Sequence, residues 1–443
     1  MIRKLFRRKP RRSTVVPGCP DGACLFWPPS RWQALQQRLL ARHIAHARRS
    51  PLYAGRIHRD GNGGLTSLAA LPTTSREELM QAGQRAYACK HEDVREWVTT
   101  SGTTGKPLRV PLTAADLKRL AINEAVALNI AGINAGDTLL IAVAFDRMFV
   151  AGLAYWLGAQ RLGAGCVRAG PFYATDASAL AALAADYRRP FLLTVPSLLA
   201  ASLAASATQT PALAAIISIA EPVRRADLSP NALATRLGEH FHAPVLSTCA
   251  GTETCTTFAE GPHCRGGHLN PRLAVVEILD ETGRPVPDGG TGEVVVTPLG
   301  VEGMPLLRFH TGDLAALNTE PCPCGRTTPR LGPVVGRMQQ RLKVRGVSLF
   351  PGTISEWLQG VAAVAEFLIV AEQDFDLSDR ITLHVALHRS AENIRHRIRQ
   401  QARTILRSPV HIVFTSPQAV RDLQRQANPR KPSRFLDLRP PRA

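Results

Sequence analysis

The most informative stretch of the chain reads Thr99-Thr100-Ser101-Gly102-Thr103-Thr104-Gly105-Lys106-Pro107 and combines hydroxyl side chains with two glycines and one lysine. Glycines allow a backbone to approach a bound group closely, and backbone N–H groups together with a cation can bind a polyphosphate. The spacing differs from that of a Walker loop, GxxxxGK[ST]. Taken alone, the stretch is equally typical of a polar surface turn.

On the C-terminal side of this loop, short apolar runs alternate with helical patterns. The predicted helices cover 115–128, 151–162, 177–187, 197–205 and 232–240, and the predicted strands cover 138–144, 166–169, 191–195, 214–219 and 244–246. Strands separated by helices of this length indicate a parallel sheet in an α/β domain. The uncharged stretch 191–220 belongs to this pattern, because Pro196 and Pro211 divide it too finely for a membrane-spanning helix.

The sequence pattern changes twice more along the chain. After residue 270, Val-rich strands at 274–279 and 293–297 flank a turn at 281–283, which predicts an antiparallel β subdomain. Beyond residue 343, the pattern predicts a small α+β module with helices at 353–358 and 391–406 and strands at 366–371, 381–387 and 410–414. We therefore expect a basic, disordered tail over residues 1–30, a large N-terminal α/β domain over 31–338 and a small C-terminal domain over 339–443.

The net charge of +19 is concentrated at the two ends of the chain. The first twelve residues contain seven bases and no acid, and residues 421–443 contain seven bases and two acids. The body is only mildly basic, and aromatic residues make up 5% of the chain, so we expect no nucleic-acid partner. For the basic start, a solvated tail is favoured over a mitochondrial presequence or a weak anchor to anionic lipid.

The nine cysteines are too sparse, and odd in number, for a disulfide framework, and no signal-peptide pattern is present. We therefore expect a reducing, cytoplasmic location. Four candidate metal ligands form two short-spaced pairs: Cys264 with His268, and Cys322 with Cys324. Such pairs are typical of a closed, structural zinc site, although either pair alone could be an ordinary turn. Cys255 and His263 are reserve ligands, and Cys19 and Cys24 are predicted to be isolated thiols in a loop.

The string at residues 100–107 resembles the phosphate loop TSGTTGKP of the adenylate-forming superfamily of acyl-CoA synthetases. Further segments are similar, in order, to those of its phenylacetate–CoA ligase branch, in which some members also resemble this chain at the Cys/His pairs. These segments are 50–53, 71–79, 194–197, 220–222, 311–313, 336–337, 342–347, 350–351 and 430–437. The resemblance implies a large adenylate-forming domain and a small, mobile C-terminal domain.

In this superfamily, ATP and a carboxylic acid form an acyl adenylate and pyrophosphate, and a thiol then displaces AMP. The resemblance implies that Glu253 helps to hold Mg²⁺, that Asp313 binds the ribose, that Arg337 supports the ribose and phosphates, and that Lys431 lies beside the α-phosphate. A cation at that phosphate would stabilise the transition state. The remaining nucleotide-binding set comprises Thr100, Ser101, Gly102, Thr103, Thr104, Gly105, Lys106, Thr252, Lys343 and Gly346.

Three positions depart from the family pattern. Cys249 replaces a tyrosine that stacks on adenine, Gln339 replaces a hinge carboxylate, and His310 replaces the arginine before Thr311-Gly312-Asp313. The departures are compatible with a specialised substrate or with a partly inactive relative. The segment 146–152, which contains Phe149, corresponds to the family's acyl pocket, where Phe149 could face an aryl acid or simply cap the core.

The main hypothesis is an AMP-forming ligase that joins an aryl or arylacetic acid to CoA, with ATP, Mg²⁺ and structural Zn²⁺. One alternative is an adenylate-forming synthetase with another acceptor, as in the related enzymes that modify a deazaflavin cofactor. Another is a catalytically inactive binding protein that uses its basic ends on nucleic acid or anionic membrane.

Overall fold

The protein is described from a computed structural model. The structure describes residues 20–57, 68–100, 107–172, 176–203, 212–344, 347–373, 379–389, 391–406, 410–427 and 434–439. The helices are α1 (Pro29–Ala47), α2 (Arg76–Ala82), α3 (Ala114–Ile130), α4 (Val150–Leu162), α5 (Ala177–Ala185), α6 (Pro196–Leu203), α7 (Ala232–Phe241), α8 (Pro351–Gly360), α9 (Glu392–Leu406) and α10 (Pro417–Ala427).

The strands alternate with helices in the first half and dominate the second. They are β1 (Val94–Thr99), β2 (Arg109–Thr113), β3 (Thr138–Ile141), β4 (Gly165–Val167), β5 (Phe191–Thr194), β6 (Ala215–Ser218), β7 (Val245–Gly251), β8 (Thr256–Ala259), β9 (Gly267–His268), β10 (Ala274–Leu279), β11 (Thr291–Pro298), β12 (Phe309–Asn318), β13 (Arg330–Leu331), β14 (Gly336–Arg337), β15 (Leu342–Val344), β16 (Val347–Leu349), β17 (Val364–Gln373), β18 (Asp379–Leu387), β19 (His411–Thr415) and β20 (Phe435–Asp437).

One large sheet runs in the order β10-β11-β12-β13-β9-β8-β7-β6-β5-β3-β4, and β14 pairs with β12. The pairs from β7 to β4 are parallel, whereas the pairs β7–β8, β8–β9, β9–β13, β12–β13 and β10–β11 are antiparallel. The fold class predicted from the sequence is thereby confirmed. The antiparallel strands continue the parallel sheet, because β7 extends to Gly251 and pairs there with β8.

The core of the parallel region packs against α3 and α4. The strands contribute fully buried aliphatic side chains, such as Leu139, Leu193 and Ile217, and the predicted alternation of strands and helices is confirmed. Helices α3 and α4 approach closely at Gly158, where a Cβ would lie 2.4 Å from the Cβ of Glu124. A larger residue at this position would force the two helices apart. Within the described residues, none of the helices has both the length and the apolar character needed to cross a membrane.

The chain divides into two compact units. The larger unit takes the chain up to Ser229 together with Ala234–Thr311 and Ala316–Pro333. The smaller unit takes Pro230–Leu233, Gly312–Ala315 and the chain from Val334 onward. In the smaller unit, β19-β18-β17-β20 form a four-stranded sheet and β15-β16 form a hairpin. The sequence placed the start of the small domain at residue 339, and its mobility stays a prediction.

The expectation of a disordered tail over residues 1–30 is wrong for its last part. A 3-10 helix, Pro20–Phe26, precedes α1, and the side chains of Cys24 and Leu25 are buried. Leu25 packs with Val126 and Ile130 of α3. Cys24 is therefore a buried thiol in a 3-10 helix and not a thiol in a loop, whereas Cys19 and the basic start lie outside the described residues.

Candidate active site

The described residues on either side of the predicted phosphate loop form a hairpin. Strands β1 and β2 pair antiparallel, with Thr99 opposite Arg109. Thr100 N donates to Leu108 O at 3.1 Å, and Leu108 N donates to Thr100 Oγ1 at 3.1 Å. The hairpin therefore holds the two ends of the loop side by side. The predicted phosphate contacts between them lie outside the described residues: Ser101, Gly102, Thr103, Thr104, Gly105 and Lys106.

Glu253 and Thr252 lie in the tight turn that connects β7 to β8. Thr254 Oγ1 donates to Gly251 O at 3.2 Å, and Cys255 adopts a left-handed φ of 46°. A non-glycine residue with a left-handed φ is strained, so its surroundings must hold it in that conformation. The turn presents the Glu253 carboxylate, whose side chain is 15% exposed, to a neighbouring cation.

That cation is Arg76, the first residue of α2. Its guanidinium donates from Nη1 to Glu253 Oε1 at 2.6 Å and from Nη2 to Thr100 Oγ1 at 2.9 Å. The carboxylate predicted to hold Mg²⁺ and the threonine at the start of the phosphate loop are thus bridged by one side chain. Charge-assisted hydrogen bonds of this length are among the stronger ones in proteins.

A second arginine holds the end of the turn. Arg119 of α3 is buried and donates to Cys255 O at 2.6 Å and to Thr256 Oγ1 at 3.1 Å. It also donates to Leu273 O and Leu299 O at 2.6 Å each. Burial lowers the pKa of Arg119, but the charge is retained because an arginine titrates far above neutral pH.

The smaller unit contains the predicted ribose contacts. Asp313 of β12 lies opposite Arg337 of β14, and Arg337 Nε donates to Asp313 Oδ1 at 2.9 Å. The two residues that the resemblance assigned to the ribose are therefore neighbours. Lys343 lies on β15, where its backbone N–H donates to Asp379 Oδ2 at 2.6 Å. Gly346 and Lys431 lie outside the described residues.

Each of the three departing positions has a defined environment. His310 Nδ1 lies 2.8 Å from Glu293 Oε2, and the hydrogen bond to Glu293 raises the pKa of His310. Cys249 lies on β7 opposite Phe258, so a cysteine takes the place of the family's tyrosine in a strand. The backbone carbonyl of Gln339 accepts a hydrogen bond from Arg439 at 3.2 Å.

The loop after β3 is strained next to the phosphate hairpin. Arg147 and Met148 both adopt left-handed backbone conformations, with φ of 56° and 63°. Thr99 N donates to Met148 O at 2.9 Å and ties this loop to the hairpin. Phe149 is half-buried, and the sequence-based alternatives for it, an acid contact or a core cap, both stay open.

Four candidate metal ligands come together in the larger unit: Cys264, His268, Cys322 and Cys324. Their ligand atoms all lie within 4.8 Å of one another. His268 Nε2 lies 3.2 Å from Cys324 Sγ, and its Nδ1 lies 3.2 Å from Thr328 Oγ1, which fixes the orientation of the ring. Hydrogen bonds from Cys264 and Cys322 hold the pKa of the Cys324 thiol below its usual range.

This donor set fits a tetrahedral zinc ion, since three thiolates and one imidazole are typical ligands of closed structural sites. The reserve ligands do not belong to the cluster. Cys255 is buried near Arg119, and burial raises the pKa of its thiol to about 12. His263 is exposed and is absent from the group of four within the described residues.

Sequence reasoning missed Arg76, Arg119 and Glu221 as site residues. Glu221 accepts from Ser197 N at 2.9 Å and from Ser197 Oγ at 2.5 Å, so it joins the segments 194–197 and 220–222, both of which carry the family resemblance. Arg76 lies within a recognised segment, but 177 residues separate it from Glu253, and no local pattern indicates their contact.

The hairpin that flanks the predicted phosphate loop lies beside a half-buried carboxylate, Glu253, as expected for an enzyme that activates its substrate with ATP. Residues 52–301 match the family model described as AMP-binding enzyme, and the chain belongs to this family. The predicted family and the predicted enzyme class, an AMP-forming ligase, are thereby confirmed.

The chain is also similar to curated proteins named phenylacetate–coenzyme A ligase. It is 31% identical over 371 residues to that of Thermus thermophilus, covering 80% of this chain and 81% of the relative. It is 29% identical over 388 residues to that of Aromatoleum evansii, covering 84% and 85%. These matches confirm the predicted resemblance to the phenylacetate–CoA ligase branch.

Solved structures share the fold. A 2-hydroxyisobutyryl-CoA ligase in a postadenylation state matches with a TM-score of 0.76 at 20% identity, over 93% of this chain and 89% of that chain. The same ligase with its adenylate and CoA in the thioesterification state matches with a TM-score of 0.63 at 22% identity, over 94% and 91%.

Proposed function

We propose that this protein is an ATP-dependent carboxylate–CoA ligase for an aryl or arylacetic acid. The acid would attack the α-phosphorus of ATP to form an acyl adenylate and release pyrophosphate, and the CoA thiol would then displace AMP. The observation that carries the proposal is the bridge from Glu253 through Arg76 to Thr100, in a chain of the AMP-binding enzyme family. The names of the curated relatives support the choice of acid and acceptor.

The adenylation step brings a carboxylate toward an anionic nucleotide, so positive charge and oriented donors must offset the repulsion. We assign the β- and γ-phosphates to Ser101–Lys106, and Mg²⁺ to Glu253, because carboxylate oxygen is the ligand that Mg²⁺ prefers. When bound, Mg²⁺ supplies charge neutralisation at the phosphates. Asp313 would accept hydrogen bonds from the ribose hydroxyls, and Arg337 would support the same side of the nucleotide.

We assign a structural zinc ion to Cys264, His268, Cys322 and Cys324. All four positions are filled by protein ligands, so the ion would leave none open for a substrate. The zinc ion would join the segment after β8 to the loop after β12, next to buried Leu25 and Ile130. Thiolate ligands persist under reducing conditions, which supports a cytoplasmic location.

A panel of carboxylic acids, tested for pyrophosphate release with and without CoA, examines this proposal. With an aryl or arylacetic acid and no CoA, we expect ATP to release about one equivalent of pyrophosphate per enzyme, because the adenylate stays bound. With CoA present, we expect the enzyme to turn over repeatedly. Acyl-CoA detected by mass spectrometry identifies the acceptor. Multiple turnover without CoA, or no pyrophosphate release with any acid, would contradict the proposal.

A further inference from the structure

Arg76 occupies an unusual position for a residue outside the predicted catalytic set. Its guanidinium contacts the carboxylate assigned to Mg²⁺ and the hydroxyl at the start of the phosphate loop, at 2.6 and 2.9 Å. The side chains of Arg76 and Glu253 are 24% and 15% exposed, so water screens the pair only in part. Thr100 is 7% exposed and also accepts from Leu108 N, so Arg76 is tied to a fixed point.

The backbone that carries Arg76 is itself held in place. Ser75 and Glu78 form a capping box at the start of α2, with bonds of 3.1 and 2.8 Å. Just before it, Thr74 N donates to Arg308 O and His310 N donates to Thr74 O, so the segment is bound to the start of β12. Arg76 therefore projects from an anchored turn, and its contact with Glu253 is not a chance meeting of two flexible side chains.

Arg76 and a magnesium ion would compete for the same carboxylate. Nη1 of Arg76 already uses Glu253 Oε1, and Mg²⁺ binds carboxylate oxygen at shorter range than a guanidinium does. Leaving Glu253 without a cation in this half-buried site would be costly, so some positive group must be present before the nucleotide arrives. Arg76 is the residue that provides it.

We propose that Arg76 is the resident counter-charge of Glu253 and exchanges places with Mg²⁺ when the nucleotide binds. In the nucleotide-free enzyme Arg76 neutralises Glu253 and keeps free Mg²⁺ out. With the Mg²⁺–nucleotide bound, Glu253 would hold the metal ion, and the guanidinium of Arg76, still bonded to Thr100, would face the polyphosphate. A planar guanidinium suits phosphate oxygens well. Arg76 is thus a positioning residue before nucleotide binding and a phosphate contact after it; this inference rests on the proposed function.

The first test measures metal binding without catalysis. Mn²⁺, as a paramagnetic substitute for Mg²⁺, is titrated into nucleotide-free protein and the free ion is counted by electron paramagnetic resonance. We expect Arg76→Met to bind Mn²⁺ at least tenfold more tightly than wild type, and Arg76→Met combined with Glu253→Gln to lose that gain. Equal Mn²⁺ affinity in wild type and Arg76→Met overturns the proposal that Arg76 and the metal ion compete for Glu253.

The second test measures ATP–pyrophosphate exchange. We expect Arg76→Met to raise KM for ATP about tenfold or more with little change in KM for the acid, and Arg76→Lys to recover part of the loss. Arg161→Met is the matched control, because Arg161 and Asp21 form a pair at 2.8 Å with exposures of 35% and 18%. An unchanged KM for ATP in Arg76→Met overturns the phosphate contact.

The two measurements also separate this inference from the proposed function. If the acid or the acceptor is wrong, the Mn²⁺ result is unaffected, because no substrate is present. If Arg76 does not exchange places with Mg²⁺ on Glu253, the acid panel still gives acyl-CoA. Thermal unfolding of each variant establishes that the protein compared is folded, and Arg76→Lys provides a second folded variant in which the cation is retained.

Discussion

Arg119 illustrates how one buried side chain organises backbone segments that are distant in sequence. Its four acceptors belong to the turn after Glu253, to the segment before β10 and to the segment after β11. Desolvation of the guanidinium is offset by hydrogen bonds to three carbonyls and a hydroxyl, so no carboxylate partner is required. The position of Glu253 therefore depends on Arg119 as well as on Arg76.

His310 is a second single residue with a measurable consequence. Its imidazole is paired with Glu293, and Arg308 and Glu277 are the other charged groups that affect it. The Glu293 hydrogen bond raises the pKa of His310, so the pair's contribution to stability is complete below the unfolded pKa of about 6.5. That contribution is lost as the pH rises through the folded pKa.

We therefore expect His310→Gln to lower the melting temperature more at pH 6 than at pH 9. The difference should be about 2 °C, since a partly buried ion pair contributes roughly 1 kcal/mol. Differential scanning fluorimetry across this pH range measures it. Exposed His388, changed to Gln, is the control for the substitution itself. A penalty for His310→Gln that is constant, or that grows with pH, would show that the pair does not titrate as described.

At the scale of elements, the Cys/His cluster connects β9 to the loop between β12 and β13. β9 and β13 are only two residues long each, and His268 pairs directly with Arg330. Strands this short contribute few hydrogen bonds of their own, so a bound ion would account for much of the local order.

We expect the purified protein to contain about one zinc ion per chain and Cys264→Ser to retain little of it. Inductively coupled plasma mass spectrometry measures the metal content. Cys166→Ser is the matched control, because Cys166 is a half-buried free thiol outside the cluster. Equal zinc content in Cys264→Ser and wild type would exclude this site as the place where zinc binds.

The sequence predicted the elements well where the pattern is local. The helix expected at 151–162 is α4, Val150–Leu162, and the strand expected at 274–279 is β10. The sequence did not predict α10, whose exposed face is rich in polar residues, or β20, a three-residue strand that pairs with β17. A strand that short has no periodicity of its own and forms only because its partner is already in place.

The candidate site was predictable to the extent that its motifs are contiguous. Glu253 was proposed from its motif, and the four candidate metal ligands from their paired spacing, whereas the contacts of Arg76 and Arg119 were not predicted. Both arginines act through contacts across more than 130 residues, and their recognition requires the fold. For the same reason the sequence could not show that Cys24 and Leu25 belong to the core.

At the scale of the whole molecule, the charge distribution separates the ends of the chain from its catalytic body. The first twelve residues carry seven bases, and the last 23 residues carry seven more, including Lys431. The resemblance gives only Lys431 a chemical role, because a cation beside the α-phosphate stabilises charge that develops during adenylation. The proposed mobile small domain implies that this lysine serves one half-reaction and not the other.

Lys431→Ala should therefore reduce acid-dependent ATP–pyrophosphate exchange by about a hundredfold or more. Thioester formation from a preformed acyl adenylate and CoA should stay within about threefold of wild type, because Lys431 would have left the site by then.

Deletion of residues 1–12 is the comparison for charge alone, since it removes seven bases and should leave both half-reactions intact. If Lys431→Ala slows both half-reactions equally, the lysine acts on the overall fold or on nucleotide affinity, and the assignment of alternate positions to the small domain fails. If the deletion impairs adenylation as strongly as Lys431→Ala does, bulk positive charge and not a positioned cation supports the reaction.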